Sequence, residues 1–126
     1  LTVVFDASTV LAILKDEPGA DLAIGHARGA LLSAVNLVEV RSKLFDAVTD
    51  VDAAMAMLDQ LEIVVVPFSD AQAVIAADLW PRVKGRNVSL ADRACLALGV
   101  DRKGTVFTAD SLWAELGLDL TITLIR

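Results

Sequence analysis

Short apolar runs alternate with longer segments of helical spacing along this chain. Thr2-Val3-Val4-Phe5, Ile63-Val64-Val65-Val66 and Thr105-Val106-Phe107-Thr108 are too short for helices and rich in β-branched and aromatic residues. Apolar runs of this kind, without polar alternation, read as strands buried on both faces, as in a parallel sheet. The predicted strands are residues 2–5, 29–33, 63–66, 104–108 and 120–124. Helices are predicted over 7–14, 20–27, 34–46, 50–61, 70–80 and 90–99, with a short one over 110–115. Pro18-Gly19, Pro67, Pro81 and Gly99 supply stops, while Asp50 or Thr49, Ser69 and Ser89 supply caps. In 34–46, Leu37, Val40 or Arg41, Leu44 and then Ala47 share a stripe, and in 50–61 Met55, Leu58 and Leu61 face inward; these two helices form an antiparallel pair. Residues 82–87 are a polar, basic loop. Strands alternating with helices predict an α/β fold in which one domain, 1–126, has a central parallel sheet with helices on both faces.

A chain of 126 residues suits one core, burying about 65–70% of the surface its unfolded form exposes. Hydrophobic residues at 56% and charged residues at 22% exclude a disordered tail. They also leave apolar positions, Phe45, Val48, Met55 and Met57, for a partner. No apolar run approaches the ~20 residues of a membrane span. The first strand is preceded by no basic n-region or cleavage site, which predicts a cytoplasmic protein. The lone cysteine, Cys95, lies in an apolar helix and reads as a buried, inert thiol; the lone histidine, His26, reads as a solvated surface residue. A net charge of −6 argues against bulk electrostatic binding of nucleic acid. It is compatible with an acidic pocket filled by metal ions and bordered by cations. Arg82, Lys84, Arg86 and Arg93 bracket the start of the helix that carries Asp92.

Asp6, Glu39, Asp92 and Asp110 stand apart from the other acids among the seventeen, because their neighbours are apolar. Each has an ordinary explanation. Asp6 and Asp110 suit N-caps, Asp92 completes a Ser-x-x-Asp capping box with Ser89, and Glu39 can pair with Lys43 four residues on. Topology joins them. Asp6 and Asp110 follow predicted strands directly, at the carboxyl edge where open parallel sheets bind ligands. The helix of Glu39 leaves the same edge, and the helix of Asp92 must start near it to feed the next strand. Oxygen ligands without a His or Cys cluster select Mg²⁺ or Mn²⁺, and such a site suits phosphodiester hydrolysis. Ser8, Asn36 and Thr108 lie close to these acids in sequence as supporting residues. Arg93 suits either a core carboxylate or a phosphate. Trp80 and Trp113 read as packing residues. Walker and dinucleotide glycine loops are absent, as is any triad.

Four segments together resemble the successive motifs of PIN-domain ribonucleases, and in particular the VapC toxins of bacterial toxin–antitoxin modules. They are Val4-Phe5-Asp6-Ala7-Ser8-Thr9-Val10-Leu11, Ser33-Ala34-Val35-Asn36-Leu37-Val38-Glu39-Val40, Ser89-Leu90-Ala91-Asp92-Arg93-Ala94-Cys95-Leu96-Ala97 and Val106-Phe107-Thr108-Ala109-Asp110. The resemblance spans essentially the whole chain. It implies Mg²⁺- or Mn²⁺-dependent endonucleolytic cleavage of RNA, with Asp6, Glu39, Asp92 and Asp110 as metal-binding and catalytic acids and Ser8, Asn36 and Thr108 in support. It also implies a homodimer and a cognate antitoxin that covers the active site. Lys84, Arg86 and Arg93 are the candidate RNA contacts. Ser111 stands where relatives often carry Arg, removing one basic contact. Two alternatives remain: a phosphatase of haloacid-dehalogenase type, against which Ser8 occupies the place of a second Asp, and a non-catalytic partner-binding domain.

Overall fold

The computed structural model describes residues 1–47 and 49–126. β1 (Val3–Phe5) leads into α1 (Ala7–Lys15) and α2 (Ala20–Ile24), and β2 (Leu31–Ser33) passes without a loop into α3 (Ala34–Asp46) and on to α4 (Val51–Gln60). β3 (Val64–Val66) precedes α5 (Asp70–Asp78), α6 (Trp80–Val83) and α7 (Leu90–Arg102); β4 (Thr105–Thr108) is followed by a 3-10 turn (Ser111–Glu115) and β5 (Ile122–Leu124). The strands pair in parallel in the order β3-β2-β1-β4-β5. The chain therefore starts at the centre, moves out to one edge, and returns on the other side of β1. That reversal opens a crevice beyond the carboxyl ends of β1 and β4.

The two-residue period of the strands divides the core. Val3, Phe5, Leu32 and Phe107 pack on one face with Val10, Ile13, Val40, Leu44 and Leu58. Val4, Val66 and Val106 pack on the other with Leu79, Val83, Leu96, Leu98 and Trp113. Both faces are covered over β1 and β4, which is why those runs are apolar throughout; β3 lies at the sheet edge and leaves Val64 and Val65 exposed, contrary to the buried strand that its run suggests. Ser33 caps α3, Asp50 caps α4, and Leu58 is buried while Met55 and Leu61 are partly so. Phe45 and Met57 are exposed, whereas Arg41 and Ala47 take no part in the core; Val48 lies outside the described residues.

Several boundaries differ from the sequence reading: α2 ends at Ile24 and not at 27, β2 begins at Leu31 and not at 29, and β5 begins at Ile122 and not at 120. The helix expected over 70–80 breaks at Leu79, and α6 restarts with Pro81 in its first turn, where the missing N–H costs no helical bond. Arg82 therefore belongs to a helix rather than to the basic loop. Gly99 does not end α7, which continues to Arg102 with Lys103 as a left-handed cap. It is instead a close-approach position, since a Cβ there would lie 2.5 Å from Val106 Cγ2. His26 is exposed, but its ring stands 4.9 Å from that of Phe107. Among the described residues no helix is long and apolar enough to cross a membrane.

Candidate active site

Asp6 sits where β1 becomes α1. Its N–H donates to Phe107 O at 3.2 Å, extending the strand pairing, while Oδ1 accepts the Thr9 N–H at 2.8 Å and so caps the helix. The register Phe5 opposite Phe107 brings Thr108 alongside, and Thr108 Oγ1 donates to Asp6 Oδ2 at 2.6 Å. Ser8 Oγ reaches both carboxylate oxygens, at 2.7 and 2.9 Å. The same hydroxyls accept in turn: Ser8 from Ala109 N–H at 2.9 Å and Thr108 from Asp110 N–H at 3.0 Å. Asp6 is buried, and burial lifts its carboxyl above the ordinary value; the Thr108, Thr9 and Ser8 bonds oppose this without cancelling it.

The other acids arrive from separate elements. Asp110 caps the 3-10 turn by accepting Leu112 N–H at 3.0 Å. Asp92 and Ser89 exchange both bonds of a capping box, each 3.0 Å. Glu39, half-buried on α3, accepts from Asn36 Nδ2 at 3.1 Å, and the same amide donates to Ala91 O of α7 at 3.0 Å. With two acceptors facing the nitrogen, the amide has one sensible orientation, and it ties the Glu39 helix to the first turn of the Asp92 helix. The structural explanations and the site thus coexist, because a carboxylate has acceptor capacity beyond one cap bond. All four acids line one cavity of about 180 Å³ with Ala7, Ser8, Lys43 and Trp113. Buried Cys95 senses their proximity: its thiol is pushed well up by desolvation, and further by the charges of Asp6, Asp92 and Glu39.

Four carboxylates in so small a space need a counter-charge, and Lys43 is the cation among these lining residues. The Glu39–Lys43 ion pair that offered an ordinary explanation for Glu39 does not form; the ion pairs among the described residues are Arg28–Glu62 and Arg102–Asp101. Nor do three His, Cys, Asp or Glu side chains among the described residues stand together as a ready-made metal cage. Mg²⁺ does not require one, since it keeps several waters and is commonly held by one or two carboxylates. The all-oxygen donors fit such a hydrated ion.

The basic residues are more dispersed than the sequence grouping suggests. Lys84 and Arg86 are exposed in the turn before α7 and do not line the cavity. Arg82 donates to Gly117 O at 2.7 Å. Arg93 reaches no carboxylate: Nη1 donates to Ala76 O at 3.0 Å and the guanidinium lies 4.9 Å from the Trp80 ring centroid. Trp113 is buried as expected, but Trp80 is 43% exposed and is not a core residue. Lys43 and Trp113 are lining residues that sequence reasoning did not place in the site. Their offsets of four from Glu39 and three from Asp110 were the available signals.

The acid-lined pocket lies at the switch point of the parallel sheet, the place where open α/β domains bind their ligands. The chain belongs to the PIN domain family, whose profile matches residues 3–117. PIN nucleases as a class use divalent metal ions. Among curated proteins none matches in sequence. The fold is similar to DNA-bound VapBC from Salmonella typhimurium, with a TM-score of 0.79 and 14% identity over 100% of this chain and 99% of that one. A toxin–antitoxin complex from Klebsiella pneumoniae gives 0.79 and 15% over 99% and 98%. The sarcin–ricin loop cleaving VapC toxin of Mycobacterium tuberculosis gives 0.75 and 16% over 93% and 96%. At these identities the likeness establishes the fold.

Proposed function

We propose that this chain is a Mg²⁺- or Mn²⁺-dependent endoribonuclease acting as the toxin of a toxin–antitoxin module. The observation that carries the reading is the convergence of Asp6, Glu39, Asp92 and Asp110 on one cavity at the sheet's switch point. The toxin role is supported by the similar folds of VapBC complexes and of an RNA-cleaving VapC toxin. In this reading Asp6, Asp92 and Asp110 hold the cation directly or through its waters. When bound, the cation activates a water for in-line attack on phosphorus and neutralises the leaving oxygen. Ser8, Thr9 and Thr108 keep the Asp6 carboxylate oriented, and Asn36 holds one oxygen of Glu39 so that the other can receive a hydrogen bond from the attacking water. Cleavage leaves a 5′-phosphate and a 3′-hydroxyl. Lys84 and Arg86 hold flanking phosphates.

The partners follow from the same surface. Val38, Phe45 and Met57 leave an apolar face on α3 and α4, and a cavity of about 700 Å³ opens beside it between Arg41, Phe45, Thr49, Asp50, Val51 and Asp52. An antitoxin docks there and sends a basic segment across the acids, where its cations replace the metal. A second copy of the chain covers further apolar surface. Purified protein is expected to cleave RNA with Mg²⁺ or Mn²⁺, to stop in EDTA, and to work poorly with Ca²⁺, whose looser coordination positions water badly. Asp6→Asn is expected to abolish cleavage while keeping the fold. Full activity in EDTA refutes the metal-dependent reading.

A further inference from the structure

Trp80 opens α6 with Pro81 behind it, and 43% of its surface is exposed. A single exposed aromatic is ordinary. This one is backed by a cation, the Arg93 guanidinium 4.9 Å from its ring centroid, which is fixed in turn by the Ala76 carbonyl at 3.0 Å. Arg93 follows Asp92 on α7, and the Asp92 carboxylate lines the acidic cavity, so the indole rests on the residue next to a site acid. Leu90, one turn before Arg93, is also exposed. The charge around Trp80 is unusual for this chain. Despite seventeen acids overall, the run from Leu79 to Ala91 contains none and carries Arg82, Lys84 and Arg86. An exposed indole backed by the Arg93 guanidinium, in an acid-free stretch that also carries the exposed Lys84 and Arg86, matches one ligand chemistry, an unpaired nucleobase on a phosphate backbone.

We infer that the outer face of Trp80, held by Arg93, is a stacking platform for a single-stranded nucleobase of the bound RNA. This rests on the ribonuclease reading, and it gives Arg93 an indirect role as the residue that positions the indole. The test measures binding instead of cleavage. A mixed-sequence single-stranded RNA 12-mer and an abasic strand of equal length are titrated, in Mg²⁺, against the Asp6→Asn protein with and without Trp80→Ala and Trp80→Phe. Trp80→Ala is expected to weaken binding of the RNA about tenfold, leave the abasic strand and the salt slope unaffected, and be rescued by Trp80→Phe. Intrinsic fluorescence provides a second readout: Trp113 is buried but lines the acidic cavity and keeps its own response, so quenching by RNA should be smaller in Trp80→Phe than with Trp80 present. Equal RNA affinity with and without the indole, or equal weakening of the abasic strand, overturns the platform even if the parent cleaves RNA. A change in solution mass in Trp80→Ala, without RNA, overturns it in favour of a protein interface.

Discussion

Replacing Thr108 by Val removes one hydroxyl from the centre of the site while keeping the β-branched shape that β4 buries. That hydroxyl donates to Asp6 Oδ2 at 2.6 Å and accepts the Asp110 N–H at 3.0 Å, and the residue has no exposed surface. In the metal-free protein, losing a hydrogen bond to the ionised carboxylate costs about 2 kcal/mol. When Asp6 is protonated the bond is between neutral groups, and the loss falls to about 1 kcal/mol. The direction follows from the Asp6 carboxyl, whose folded value lies above the ordinary 3.8 because of burial. Through the window above 3.8 the native protein holds a proton that the unfolded chain has released, so stability falls as pH rises. Thr108 is the foremost hydrogen-bonded counterweight to that rise. Without it the carboxyl moves further up and competes less well for a cation. Loss of such a supporting partner is expected to weaken Mn²⁺ affinity and activity about 10- to 100-fold. Urea unfolding in EDTA over a pH series that starts below 3.8, paired with cleavage as a function of Mn²⁺ concentration, reads both effects. A stability change within about 0.5 kcal/mol and an unchanged half-saturating Mn²⁺ concentration would refute the support assigned to Thr108.

Asp6→Asn removes the buried titrating group, so in EDTA its stability should gain on the parent as pH rises above the ordinary carboxylate value, and Mg²⁺ should narrow the gap; a pH-independent difference between the two urea midpoints counts against this. Replacing Lys84 and Arg86 by Ala should flatten the salt dependence of RNA binding by about 0.7 in log–log slope for each phosphate that is no longer neutralised, and an unchanged slope means these exposed cations face away from the strand.

Local chemistry determined much of this molecule from the sequence alone. Buried parallel strands must be apolar on both faces, so Val3–Phe5 and Thr105–Thr108 were legible, and the acids that follow them necessarily lie at the carboxyl edge. The spacing of Leu37, Val40 and Leu44 likewise marked α3, because a stripe is a property of neighbouring residues, whereas Ser33 read only as the end of a strand and proved to be the cap. The positions decided elsewhere depend on contacts between distant segments. Gly99 looked like a helix stop because only the packing of α7 on β4 reveals that Val106 occupies the space of its side chain. Arg93 looked free for a carboxylate or phosphate until α5 and α6 supplied the Ala76 carbonyl and the Trp80 ring. The sequence named Asp6, Glu39, Asp92 and Asp110 as candidates with competing local roles as caps and pairs. Only the strand order, with β4 inserted beside β1, and the Asn36 bridge between α3 and α7 gather them around one cavity, since no local interaction spans the chain distance that separates them.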